Sequence, residues 1–384
     1  MIKTFGAAFR ASLAAALFGF AAPAAAQDPV RLGLIVDRIG FAKAWSEPIT
    51  QGAVYAAREL NAKGGVLGRK VELLIEDDQS KPDLSATAAR KLEEAGAAFI
   101  LSLTHTVAAL QAQTVTVETK TPHLAPSLTV DTLTTQIQNP NFWQTGPLAS
   151  TQIATLLSYA RQKSYQRLAL ISDNSAISQA TAKAFKAEFD KHRIELVADE
   201  VLPSGAQSAE AQMQKVRAAK PDAIFLATLL TPENLLVLRS YRQHAMKTPL
   251  VGNYNLAVPV YMTVAKGLLD GIVFVDVWDP AKPQVKQFIA SYAKEMGSEP
   301  HNLMGYGYDG VMMAADAIRR AGSTDKEKVR QAMQATRNWT GVLGSVDSSY
   351  GFAEGRRIGF DPQGMVVRRY EGDRQGRVLH VGAK

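Results

Sequence analysis

The feature that most constrains this chain is an alternation of short β-rich apolar runs with helical stripes, carried through once and then begun again. Val30–Val36 is a run of the first kind. Ile49, Ala53, Ala56, Ala57 and Leu60 then recur at helical spacing, and Gly64-Gly65 stops the helix. A second strand is predicted over 71–75, ending at Glu76-Asp77-Asp78, and a second stripe over Leu84, Ala88, Leu92 and Ala95. A third strand follows over 98–101, a third stripe over Val107, Leu110, Thr114 and Val117, and a very short strand at His123-Leu124-Ala125. The rhythm restarts after Phe142-Trp143-Gln144-Thr145-Gly146, with strands over 168–171, 195–202, 223–226, 249–251 and 271–275 and helical stripes between them. Two strong helices come next, one carrying Val285 and Phe288, the other Val311 and Ala315; past Trp339 the chain turns Gly-rich and strand-like as far as Tyr370. Strands alternating with helices of this length require parallel sheets with right-handed crossovers. The fold class predicted is therefore α/β, with two doubly wound parallel-sheet units and a β-rich tail, and 384 residues suffice for both.

Composition narrows the chemistry. The net charge of +7 is spread along the chain with no concentrated basic stripe, so no nucleic-acid partner is expected. The Arg-rich tail, Arg356-Arg357 to Arg377, reads as a solvated strand face. There is no Cys, which excludes disulfides, cysteine-ligated metal, a cysteine nucleophile and a lipoprotein anchor. Residues 1–26 combine Lys3 and Arg10, an apolar run over 11–22 and an A-x-A site at Ala24 and Ala26, the pattern of a cleaved export signal. The mature chain is expected to begin at Gln27 and to be soluble in a Gram-negative periplasm.

Catalytic motifs are sparse. Gly305-Tyr306-Gly307-Tyr308-Asp309-Gly310 matches G-x-G-x-x-G, but no strand precedes it, so no dinucleotide site is expected. G-x-S-x-G and H-E-x-x-H are both missing, and the six His residues (105, 123, 192, 244, 301 and 380) are scattered. Asp77-Asp78 reads as a strand-end cap rather than a catalytic pair. No cofactor, no metal and no enzymatic activity are expected. What remains is geometry: open α/β sheets bind ligands beyond the carboxyl ends of their strands. Those ends read Thr104-His105-Thr106 and Ser127-Leu128-Thr129, hydroxyl and imidazole groups, the first at a helix N-terminus suited to an anion.

Residues 51–65, QGAVYAARELNAKGG, with Glu76-Asp77-Asp78 and the Tyr308-Asp309 helix, resemble the leucine/isoleucine/valine-binding proteins, type I periplasmic solute-binding proteins of ABC transporters. The resemblance implies two lobes joined by a three-strand hinge and closing over a small ligand like a flytrap. Lobe one would comprise 27–145 and 276–340, lobe two 146–275 and 341–384. It further implies that His105, Ser127 and Thr129 hold a ligand carboxylate and that Trp45 supplies an aromatic contact. Ser80 and Thr104 occupy the positions of a disulfide found in some members. The family's acidic partner for a ligand ammonium falls on Tyr254, and a lobe-two aromatic contact on Ile177, beside Asp173. The ligand expected is thus a small aromatic or aliphatic carboxylate without an obligatory ammonium. The alternatives are a branched-chain or other amino acid, with Asp173 or Asp37 supplying the acid, and a ligand-sensing receptor with no transport role. The expected partners are that small molecule and a membrane permease, and the chain is expected to be a monomer.

Overall fold

Strand β1 (Val30–Val36) is buried except at Arg31, as an apolar run flanked on both sides must be. The computed structural model describes residues 28–131, 138–203, 205–228, 231–352 and 355–382; the export signal read in residues 1–26 lies outside them. After β1 come α1 (Lys43–Ala62), β2 (Val71–Asp77), α2 (Pro82–Glu94), β3 (Phe99–Ser102), α3 (Thr106–Thr119), β4 (His123–Ala125) and β5 (Phe142–Gln144). They form one parallel sheet in the order β2-β1-β3-β4-β5. Helices α2 and α3 cover one face, where Leu92, Ala112 and Val115 meet Ile35 and Ile100.

The second series runs α4 (Ala149–Gln162), β6 (Arg167–Asp173), α5 (Ala176–His192), β7 (Glu195–Leu202), α6 (Glu210–Ala219), β8 (Ala223–Leu226), α7 (Thr231–Gln243), β9 (Leu250–Gly252), α8 (Val260–Val264) and β10 (Val273–Asp276). Helices α9 (Pro283–Met296), α10 (Asn302–Ala321) and α11 (Lys326–Gln334) follow, then β11 (Val366–Glu371) and β12 (Arg374–Val381). The second sheet has the order β7-β6-β8-β9-β10-β11-β12, parallel up to β10 and antiparallel at its last two pairings. The β-rich tail is thus an antiparallel edge on a parallel sheet.

Gly305–Gly310 lies inside α10, and its glycines serve packing. A Cβ on Gly307 would stand 1.8 Å from the Ile49 carbonyl oxygen, and one on Gly52 of α1 would stand 1.9 Å from that of Met304. Helices α1 and α10 therefore touch backbone to backbone. The aromatic side chains Tyr55, Phe288 and Tyr308 pack beside this contact, with centroids 4.6–6.0 Å apart.

Three crossings join the two sheets. The first leaves β5, where Gln144 N–H donates to the Arg357 carbonyl and its own carbonyl accepts from Gly359, both at 2.9 Å. The second follows β10, and the third returns from α11 to β11. The last two lie side by side, Gly344 N–H donating to the Val277 carbonyl at 2.7 Å. A fully buried ion pair, Arg368 to Asp276 at 2.8 Å, fastens β11 to β10 beside them.

Candidate binding cleft

The β1–α1 turn builds the first wall. Asp37 is buried at the end of β1. Its carboxylate accepts from the amides of Ile39 (3.1 Å), Gly40 and Ala42 (2.9 Å) and from the Ser80 hydroxyl. Asp37 is thereby spent on its own loop, and its role as a spare acid for a ligand, expected as one alternative, is corrected: four donors already occupy it. The pinned loop delivers Trp45, half-buried in the first turn of α1. The Trp45 ring meets Tyr254 edge-on at 6.0 Å.

Tyr254 opens a single 3-10 turn, Tyr254–Ala257, after β9. It is 3% exposed and also stands edge-on to Tyr306 of α10 at 6.3 Å. Burial holds its phenol well above the ordinary value, and Tyr306 adds to the effect. The phenol is therefore neutral throughout the physiological range and carries no charge for an ammonium. Two residues far apart in the sequence, Trp45 after β1 and Tyr254 after β9, thus meet directly.

Ser127 follows β4 and is 3% exposed, yet its hydroxyl has no hydrogen-bond partner among the described residues. The backbone here is crowded against the first crossing: a Cβ on Gly146 would lie 2.1 Å from the Leu128 carbonyl. Thr129, half-buried on the same loop, uses its carbonyl to receive the Ala149 amide at 2.9 Å. His105 is the N-cap residue of α3 by position, with extended backbone, but its side chain caps nothing. Its Nε2 lies 3.1 Å from the Ser80 carbonyl and its ring 4.8 Å from that of Phe41. Thr104 donates to Asp78 Oδ1 at 3.2 Å and the Ser80 amide to the same oxygen at 3.0 Å. One carboxylate thus joins Ser80 and Thr104, and burial pushes that carboxyl up.

On the lobe-two side, Asp173 is buried at the end of β6. Its Oδ1 accepts the Ser175 amide at 2.9 Å and its own amide donates to Ser178 Oγ at 3.0 Å. Ile177, in the first turn of α5, is 58% exposed. Sequence reasoning passed over Tyr306 and Phe41. Tyr306 was hidden inside the glycine motif. Phe41, 78% exposed, was the one signal available: an aromatic residue in a strand-end loop. No group of three or more His, Cys, Asp or Glu residues able to hold a metal occurs among the described residues, nor a helix long and apolar enough to cross a membrane.

Two α/β units built on separate sheets, joined by three crossings and meeting through the Trp45–Tyr254 ring contact, are the architecture of a two-lobed solute-binding protein. A family model, periplasmic binding protein, matches residues 29–358, and the chain belongs to that family, whose members bind solutes for ABC transporters and are not enzymes. It is 27% identical over 349 residues to the Leu/Ile/Val-binding protein BraC3 of Rhizobium johnstonii, covering 90% of this chain and 92% of that one. It superposes on a leucine-binding protein, LivK, of Thermotoga maritima with a TM-score of 0.76 at 24% identity, covering 92% of this chain and 98% of that one. For the branched-chain amino acid transporter substrate-binding protein LivJ of Streptococcus pneumoniae, solved with isoleucine, the TM-score is 0.79 at 20% identity, covering 92% and 99%. The fold is that of the type I periplasmic binding proteins.

Proposed function

We propose that this protein is the periplasmic receptor of an ABC importer for an α-amino acid with a branched aliphatic side chain. In this reading residues 1–26 are removed on export, lobe one is 27–145 with 276–340, and lobe two is 146–275 with 341–384. The observation that carries the reading is the buried Ser127 hydroxyl beside the first crossing, which has no hydrogen-bond partner among the described residues, together with the Trp45–Tyr254 pair. The hydroxyl donates to a ligand carboxylate, with Thr129 and His105 on the same rim, and the two rings flank an aliphatic side chain. Asp173, from lobe two, pairs with the ammonium. A ligand held by its carboxylate on one lobe and its ammonium on the other binds the closed form best, and so drives closure. The names of the relatives support an amino acid over the ammonium-free carboxylate expected from the sequence. The permease then receives the closed, loaded receptor.

One observation favours the ammonium-free acid as a second reading: Tyr254 is neutral, and a buried ammonium without a nearby acid is costly. Thermal shift separates the two. Ligand at about 1,000 times its dissociation constant adds about 4 kcal/mol, or roughly 8 °C or more for lobes of this size. Leucine, isoleucine and valine should give that shift and reduce the radius of gyration, whereas 4-methylpentanoate and leucinamide should do neither. A shift with 4-methylpentanoate equal to that with leucine transfers the assignment to the second reading; no shift with any of them rejects both.

A further inference from the structure

The hinge contains a buried carboxylate that plays no part in the binding chemistry above. Asp309 lies in the middle of α10 and is 4% exposed. Its Oδ1 accepts the Val342 amide at 2.8 Å; its Oδ2 accepts the Leu343 amide at 3.0 Å and the Tyr350 hydroxyl at 3.3 Å. Val342 and Leu343 belong to the third crossing, immediately before the residue that bonds to the second. The crossing lies so close to this carboxylate that a Cβ on Gly341 would stand 2.3 Å from Asp309 Oδ2. From the other side Lys282, fully buried on the second crossing, donates its Nζ to the Leu343 carbonyl at 2.6 Å. Leu343 is therefore gripped by its N–H from lobe-one helix α10 and by its C=O from the neighbouring crossing.

We propose that Asp309 is the positioning residue of the hinge: by holding two consecutive amides of the third crossing it sets how freely the lobes swing, and it does so only as the carboxylate. An ionised carboxyl has lone pairs for all three donors that meet it. A protonated one must turn its own O–H toward an acceptor, and its nearest hydrogen-bonded oxygen is that of Tyr350, whose donation it then displaces. The grip on the amides loosens in the same step, because a neutral carboxyl is the weaker acceptor. The groups facing Asp309 are Lys282 and, behind it, Asp279 from the second crossing, Tyr350 from the third, and Tyr306 and Tyr308 from α10. The three phenols stay neutral, since burial raises each of them. Burial likewise pushes the Asp309 carboxyl up to about 6, against the opposing pull of the two amides and Lys282. The clamp is thus set at neutral pH and released in mild acid.

Hydrogen exchange on the full-length, ligand-free protein tests this, with no dependence on which ligand the cleft takes. The readout is amide protection in the peptide spanning 340–345, corrected for intrinsic exchange, at about pH 7.5 and about pH 5. In the wild type, protection at 342–343 should fall by about tenfold on acidification, as expected for weakened bonds to a charged group. Asp309→Asn should be poorly protected at both pH values, with no pH response. Tyr350→Phe keeps the carboxylate and its two amides but removes one donor, so its transition should move to higher pH; it serves alone if the Asn variant does not fold. Protection that is independent of pH in the wild type overturns the proposal. So does an unshifted transition in Tyr350→Phe, since a purely structural contact would weaken without moving the profile.

Discussion

A buried hydroxyl with no partner costs about 1–3 kcal/mol, and Ser127, just beyond β4, has none among the described residues. Removing the hydroxyl should therefore leave the ligand-free protein as stable as before, or slightly more so, while weakening binding. For Ser127→Ala we expect an affinity loss worth about 1–3 kcal/mol, or about 5- to 150-fold, by calorimetry against leucine or isoleucine. The melting point without ligand should stay within about 1–2 °C. A lowered melting point with unchanged affinity would place Ser127 in the framework instead. The position of Ser127 and Thr129 just beyond a strand end was legible because locating it needs only a strand and its next residues. Asp37 was not: that its carboxylate turns back on its own loop depends on a turn geometry that composition does not encode. Tyr254 was found through resemblance, and its contact with Trp45, more than 200 positions away, is a property of the folded chain alone.

At the scale of elements, apolar periodicity located the long strands and helices, since each spans enough residues for a period to repeat. Strand β5 has three residues, too few to show an alternation, and it joins the sheet by pairing with β4. The turn Tyr254–Ala257 and helix α8, of four and five residues, are also too short to show a period, and both escaped the sequence reading. The glycine motif was visible, but its purpose was not, because close helix contact and phosphate binding both demand glycine. Packing now separates these purposes. Gly307→Ala should force α10 away from Ile49 of α1, where a Cβ has only 1.8 Å to the carbonyl. Overpacking of this kind typically costs about 1–3 kcal/mol, occasionally more, whereas an exposed helical Gly→Ala change gains up to about 1 kcal/mol. Urea denaturation of Gly307→Ala should show a loss of at least about 2 kcal/mol. A gain would mean that the two backbones do not touch.

For the whole molecule, the two-lobe plan followed from the restarted βα rhythm, but the adjacency of the three crossings rests on pairings such as Trp278 with Gly344 and Gln144 with Ile358. Acid acts on the buried titratable groups with opposite signs. His123 sits fully buried in sheet one, its Nε2 2.8 Å from Ser102 Oγ and its Nδ1 3.2 Å from Thr116 Oγ1. Burial pushes the imidazole down to about 3 and that of His301, at the start of α10, down to about 4. In the unfolded chain both titrate near 6.5. As pH falls below 6.5, the unfolded chain takes up protons that the folded lobe refuses, so the stability present above 6.5 is lost progressively down to the folded values. For His123 the loss is of the order of 3–5 kcal/mol across that window. Asp309 acts with the opposite sign: its raised carboxyl favours the folded state in acid, an advantage lost as pH rises toward about 6. Subtraction of a variant separates them. His123→Asn should lower stability at neutral pH, through a lost ring contact with Phe142, yet flatten its decline between about pH 6.5 and 4. Calorimetry at stepped pH should show the wild type losing stability over that range faster than the variant; parallel curves would mean that His123 is protonated in the folded protein.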